Sequence, residues 1–311
     1  MRKQNRSVAD FFSLLFMKLY YYFSAILPLG VQNFLGDLSG RLAYHFASQK
    51  REVALDSLKQ AYPEKSQTWR EKIAIESFQI MAGESFKVFS FILRPHLVEQ
   101  WVKVIGEDNL RQALAKKRGV VAVSAHFGNF PLMSLKLAQC GYKIGVMARP
   151  MRYKKVGEFV QYLREKSGVY TIDSLPRQQA VYKTLRFLRE NGIIIMQMDQ
   201  NFGTGGVWVN FFGRLAATPI GPIVFALRSQ APLLPMFIIG RGGYYEVHIE
   251  PEMELIISSD KDKTILDNAI KITHMIEEWI RRYPQSWSWI HRRWKTPPPP
   301  YLQQKFKVQK V

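Results

Sequence analysis

Cysteine is almost absent. Cys140 is the single one in 311 residues, so no internal disulfide can form and the fold does not depend on an oxidising compartment. It falls near a predicted helix end and reads as a buried structural thiol rather than a nucleophile. Carboxylates are scarce too: 25 Asp and Glu face 44 Lys and Arg, a net charge of +19. Such an excess does not choose a fold, but it does choose partners: nucleic acid, anionic lipid headgroups or an acidic carrier protein. There is no long Lys/Arg run, no zinc-finger spacing and no RNA-recognition signature. No nucleic-acid partner is therefore expected, and a basic surface beside apolar segments points to an anionic membrane surface. The G-x-S-x-G elbow of serine hydrolases is missing, although Ser124 lies two residues before His126.

An apolar run free of charge is missing as well. Residues 11–29 (FFSLLFMKLYYYFSAILPL) follow Arg2, Lys3 and Arg6 and are rich in aromatic residues, but Lys18 interrupts them and Pro28 ends them. No small-x-small cleavage site follows, which argues against a signal peptide. The length suits a transmembrane span. It also suits a helix lying in the interface, with Tyr20, Tyr21 and Tyr22 at headgroup level and Lys18 snorkelling, or a buried first helix of the globular body. The interfacial helix is preferred. A full span with a cytoplasmic amino terminus would carry the rest of the chain to the other side.

The chain as a whole is 47% hydrophobic, enough for one sizeable globular core. Residues 31–47, 50–61 and 68–93 show apolar residues at helical intervals, an all-helical first third. Short apolar runs then alternate with amphipathic helices. Strands are expected at 102–105, 120–124, 143–147, 169–172, 193–198, 233–239 and 244–249. Helices are expected at 109–117, 131–139, 156–167, 177–190, 218–229 and 264–283. This alternation predicts an α/β fold: a mainly parallel central sheet flanked by helices, behind a helical amino-terminal region and a membrane anchor. Residues 1–30 form the anchoring segment, 31–296 the main domain, and 297–311, with four prolines and a Lys/Gln-rich end, a flexible tail.

Two strand ends carry chemistry. Ala125-His126-Phe127-Gly128-Asn129-Phe130-Pro131 follows the strand at 120–124 and opens a helix, and sites in such sheets lie beyond the carboxyl ends of strands. An imidazole there can take a proton near neutral pH, and the first amides of the next helix can face a developing oxyanion. The alternative is a His that merely hydrogen-bonds a loop. Asp199-Gln200-Asn201 ends the strand at 193–198 and leads through a glycine-rich turn (202–206) and Phe211-Phe212 to Arg214, a set suited to hydroxyls or a phosphate. Arg149-Pro150, with Arg152 behind, ends another strand, and guanidinium suits phosphate.

Together these blocks resemble the bacterial lipid A biosynthesis acyltransferases, the lauroyl/myristoyl transferase group of the lysophospholipid acyltransferase superfamily. The resemblance runs in order through His126-Phe-Gly-Asn129, Arg149-Pro150, Asp199-Gln200 with Phe211-Phe212-Gly213, and the closing Tyr283-Pro284-Gln285-Ser286-Trp287-Ser288-Trp289-Ile290-His291-Arg292-Arg293-Trp294-Lys295. It implies an enzyme on the cytoplasmic face of the bacterial inner membrane. The acyl donor would be a thioester of acyl carrier protein or coenzyme A, and the acceptor a hydroxyl of a lipid A precursor, related glycolipid or lysolipid. No metal or redox cofactor would take part. His126 and Asp199 would be catalytic, and Gly128, Asn129, Arg149, Arg152, Gln200 and Arg214 would bind substrate. One position departs from the family pattern. Five residues after the histidine the family places Asp or Glu, and here stands Pro131. Another acid, Asp199 or Glu84, replaces it, or His126 works alone on a backbone carbonyl, or the chain binds lipid without turning it over.

Overall fold

The computed structural model describes residues 2–303, with side chains described from Ala9 onward. The charges of Arg2, Lys3 and Arg6 and the tail beyond Gln303 lie outside the described residues.

Four strands in the middle of the chain are so apolar that both their faces must be covered. β2 (Val120–Ser124) sends Val121 and Val123 to one core cluster and Val120 and Ala122 to the other. β5 (Ile193–Gln197) divides in the same way, with Ile194 and Met196 against Ile193 and Ile195. β8 (Leu233–Arg241) is buried over its first seven residues, and β3 (Ile144–Ala148) at Ile144 and Gly145 with the rest half-buried. Runs of this kind mark parallel sheets with helices on both sides.

With β1 (Val102–Ile105), β4 (Val169–Asp173) and β9 (Tyr244–Ile249) they make a seven-stranded sheet, ordered β1-β9-β8-β2-β5-β3-β4. β8, β2, β5, β3 and β4 are mutually parallel. β9 turns back antiparallel to β8, and β1 pairs parallel to β9. After β2 the chain crosses through α7 (Phe130–Gln139) to β3, leaving a gap beside β2 that β5 later fills. β2 and β5 pair with Ser124 opposite Gln197. Residues 126 and 199 therefore leave neighbouring strands at the same level.

Two stretches differ from expectation. The glycine-rich stretch 202–206 is a turn, as expected, but residues 207–218 after it form a second, two-stranded sheet, β6 (Val207–Phe211) and β7 (Arg214–Thr218), and α10 begins only at Gly221 and ends at Ser229. The hairpin turn sits on Phe212 and Gly213, both at positive φ, a geometry that matches strand twist. Cys140, expected to be buried, is exposed, because α7 ends there and turns its apolar face, Leu132 to Leu137, to the sheet.

The amino-terminal third is helical: α1 (Arg2–Ile26), α2 (Leu29–Phe46), α3 (Ser48–Ala61) and α4 (Gln67–Leu93). Among the described residues no helix is long and apolar enough to cross a membrane. Tyr21 is not at a headgroup level. It is buried, edge-on to Phe89 of α4 and to Phe159 of α8 (Lys154–Lys166), and Lys18 lies over the same Phe159 ring. Tyr20 is half-buried and hydrogen-bonds Ser85 at 2.5 Å, leaving Tyr22 as the exposed member of the three. The opposite faces of α1 and α2 leave Phe12, Phe16, Leu19, Phe23, Phe34, Leu38 and Phe46 exposed.

α2 lies almost in backbone contact with α4. A Cβ on Gly36 would sit 2.5 Å from Gly83 Cα, and one on Gly40 would sit 2.4 Å from Gln79 Cα. Two glycines four residues apart share one helix face, so their spacing permits the approach. Gly40→Val is expected to cost about 1–3 kcal/mol and lower the thermal midpoint, read by differential scanning fluorimetry. Gly30→Ala, whose Cβ would meet nothing within 4 Å, is the control that leaves the midpoint near wild type.

Candidate active site

His126 stands two residues beyond β2, and Asp199 two residues beyond β5. The ladder continues past the paired strands, since Met198 N donates to Ser124 O at 3.0 Å. His126 Nδ1 lies 2.9 Å from Asp199 Oδ1. Asp199 is 2% exposed and its second oxygen, Oδ2, accepts the Trp287 indole N–H at 2.8 Å. The His126 side chain is 28% exposed, with Phe130 edge-on to its ring at 5.1 Å. One nitrogen is thus turned inward to the acid, and the ring still reaches the surface.

The electrostatics follow from this packing. Burial, the largest single influence, pushes the Asp199 carboxyl up. The positive charge and hydrogen bond of His126, the Trp287 indole and the His126 backbone together outweigh it and hold the group down to about 2. For His126 burial pulls the imidazole down, and the Asp199 charge and hydrogen bond more than reverse that, leaving it above its ordinary 6.5. An ionised carboxylate can only accept. The Nδ1–H therefore donates to Asp199, and Nε2 is the free, proton-accepting nitrogen. The acid missing at Pro131 is supplied by Asp199.

Glu84, the other candidate acid, is engaged elsewhere. Its Oε2 accepts Asn129 Nδ2 at 2.6 Å and the Tyr245 hydroxyl at 2.6 Å, and its Oε1 lies 3.3 Å from Lys87 Nζ. Asn129 is buried, and its Oδ1 caps α7 by accepting Leu132 N at 3.2 Å. The expectation that the first amides of α7 are open to an oxyanion is therefore corrected in part. Pro131 has no N–H, and that of Leu132 is already bonded to Asn129. Gly128 is required by geometry: φ is +52°, and a Cβ would meet Ile238 O at 2.4 Å.

The closing segment is the part of the site that sequence reasoning left without roles. It crosses the His126 turn as a strap. Phe127 bridges Trp287, Gly128 N donates to Ser286 O at 2.8 Å, and Ser288 N donates to His126 O at 3.3 Å. Ser77 of α4 holds the Trp287 carbonyl at 2.9 Å. Arg293 is fully buried. Its Nη1 donates to Ala217 O at 2.5 Å and Gln200 O at 3.4 Å, its Nη2 to Thr218 Oγ1 at 2.6 Å, and its guanidinium lies over the Phe211 ring. Burial lowers it to about 10, against the pull of Asp199. Gln200 thus enters through its backbone.

The remaining expected binding residues are not brought to the pair. Arg149 and Arg152 are exposed beyond β3, with Arg152 over the ring of its neighbour Tyr153. Arg214 is exposed at the hairpin turn opposite Phe211, whereas Arg293 reaches the other end of that hairpin. Among the described residues no group of three or more His, Cys, Asp or Glu side chains could hold a metal ion.

The family model described as bacterial lipid A biosynthesis acyltransferase matches residues 4–296. A lipid A biosynthesis palmitoleoyltransferase of Escherichia coli K12 is 27% identical over 280 residues, 88% of this chain and 87% of that one. A lipid A biosynthesis lauroyltransferase of the same strain is 25% identical over 279 residues, 88% of each. A phosphatidylinositol mannoside acyltransferase of Mycolicibacterium smegmatis is 26% identical over 193 residues, 61% of this chain and 62% of that one.

The shifts of the pair fix its pH dependence. Asp199 contributes stability that is complete above 3.8 and lost as pH falls toward 2. His126 contributes below 6.5 and loses its contribution as pH rises through its raised value. Trp287→Phe removes one donor from a buried carboxylate, an expected cost of about 1–3 kcal/mol. Because the Asp199 value then rises toward 3.8, its contribution shrinks, and thermal melts across pH should show Trp287→Phe less stable than wild type at neutral pH, with the gap narrowing as pH falls from 3.8 toward 2.

Proposed function

Because this chain belongs to the bacterial lipid A biosynthesis acyltransferase family, we propose that it moves a fatty acyl chain from an acyl thioester to a hydroxyl of a glycolipid of the lipid A precursor type. The observation that carries the mechanism is the His126–Asp199 bond. His126 Nε2 takes the proton of the acceptor hydroxyl as its oxygen attacks the thioester carbonyl. The tetrahedral intermediate collapses, the C–S bond breaks, and the departing sulfur receives the proton from His126. Asp199 fixes the tautomer and stabilises the imidazolium without itself taking a proton. Relatives named for lipid A and for phosphatidylinositol mannoside support a glycolipid acceptor.

The donor is acyl carrier protein or acyl-CoA. Both are anionic, and a protein of net charge +19 attracts either over distance. The enzyme works at the cytoplasmic face of the bacterial inner membrane. Supporting this placement, the exposed aromatic and aliphatic face of α1 and α2 suits a helix pair lying in the interface rather than crossing it. A lipid-binding homologue without turnover was motivated by Pro131, and the acid supplied by Asp199 removes that motive.

His126→Ala is expected to abolish acyl transfer and leave vesicle binding unchanged, followed by mass spectrometry of the acceptor with acyl carrier protein and CoA donors compared. Near-wild-type transfer would remove His126 from the mechanism. In wild type kcat/KM should rise with pH through a midpoint above 6.5, the raised His126 value. Asp199→Asn should lower that midpoint and cost on the order of 10⁴-fold in rate, as loss of the orienting acid does in a triad.

A further inference from the structure

We infer that Glu84 is a positioning residue for the acyl-transfer step, acting through Asn129 on the turn that carries His126. This rests on the reading of His126 as the base. Besides the bond from Ser288 N to its His126 carbonyl, the turn from His126 to Asn129 is held at three further places. The Phe127 ring is sunk among Phe237, Trp279 and Tyr283. Gly128 is hydrogen-bonded to Ser286 of the strap. Asn129 is clamped between α7, which it caps, and Glu84 of α4. The first two ties fix the turn against the sheet and the strap, and the third ties it to the amino-terminal helices.

The clamp is built rather than incidental. Asn129 and Tyr245 are 2% and 5% exposed, and both aim a donor at the same Glu84 oxygen, each at 2.6 Å. Lys87 holds the other oxygen from one helical turn further along α4. The Asn129 amide has one allowed orientation, with its oxygen toward the Leu132 N–H and its nitrogen toward the carboxylate. Removing Glu84 strands two buried donors and frees Asn129 to rotate, loosening the residue three places after His126. The imidazole is then free to drift from Asp199.

The test has a readout that needs no substrate. In the full-length protein in detergent micelles, the His126 titration midpoint is followed by NMR with ¹⁵N-histidine and assigned by its loss in His126→Ala. Glu84→Ala should move that midpoint from above 6.5 down toward 6.5. With acyl-CoA donor and a lipid A precursor it should lower kcat by up to about 10²-fold, the scale of a 1 Å misplacement, with KM for the donor little changed. Glu84→Gln, whose amide oxygen can accept from the same two donors, should restore most of both. If Glu84→Ala does not fold, Asn129→Ser decides the matter, since serine still caps α7 but cannot reach Glu84. It should reproduce the shifted midpoint and reduced kcat. A folded Glu84→Ala or Asn129→Ser with the wild-type midpoint and kcat overturns the inference. Undiminished transfer in His126→Ala would instead overturn the proposed function.

Discussion

A carboxylate shut away from water must be surrounded by donors, and the arrangement of the site follows from meeting that need at Asp199. Its two oxygens are shared between the imidazole of His126 and the indole of Trp287. The first bond fixes the tautomer of the histidine, with Nδ1–H toward the acid. The second recruits a residue 88 positions later in the chain and binds the closing strap to the sheet. An isolated ionised carboxylate buried in apolar surroundings would be severely unstable. The positive imidazole, the indole and the nearby Arg293 guanidinium make its charge sustainable, and the same groups keep it ionised across the working range of pH.

α4 connects the histidine turn and the strap that carry these partners. From α4, Ser77 reaches the strap at the Trp287 carbonyl and Glu84 reaches the histidine turn at Asn129. α4 in turn presses against α2 at Gly36 and Gly40 with almost no side chain between. The helices bearing the exposed apolar face and the turn bearing His126 are therefore packed against a common helix, α4. A load on the outer helices is passed through stiff, interdigitated contacts.

Much of the sheet was legible because its strands obey a simple rule: a run such as Ile193-Ile194-Ile195-Met196 buries on both sides wherever it sits. His126 and Asp199 were legible for a related reason, since each follows such a run and strand ends gather sites. The β6–β7 hairpin was not, because its pairing depends on the left-handed turn at Phe212 and Gly213, and Phe212 is not a residue that announces such a turn. Nor was Cys140, whose exposure depends on which face of α7 meets the sheet. The roles of Trp287, Arg293 and Glu84 were illegible for a deeper reason. Each depends on a partner dozens to hundreds of residues away, and one sequence carries no trace of which polar groups will meet. Arg149, Arg152 and Arg214 stand where the sequence placed them, at a strand end and in a hairpin turn, and all three are exposed.

The strap also sets an order of events. The seven strands are complete once β9 ends at Ile249, yet the indole that receives Asp199 arrives only tens of residues later, after all of α11 (Lys261–Arg282). A nascent chain therefore exposes its greasy leading helices first and completes its proton-handling pair last. Until then the carboxylate lacks its indole donor and the imidazole turn has nothing lying across it. The His126–Asp199 pair is in this sense finished late, when the segment around Trp287 folds back over the sheet.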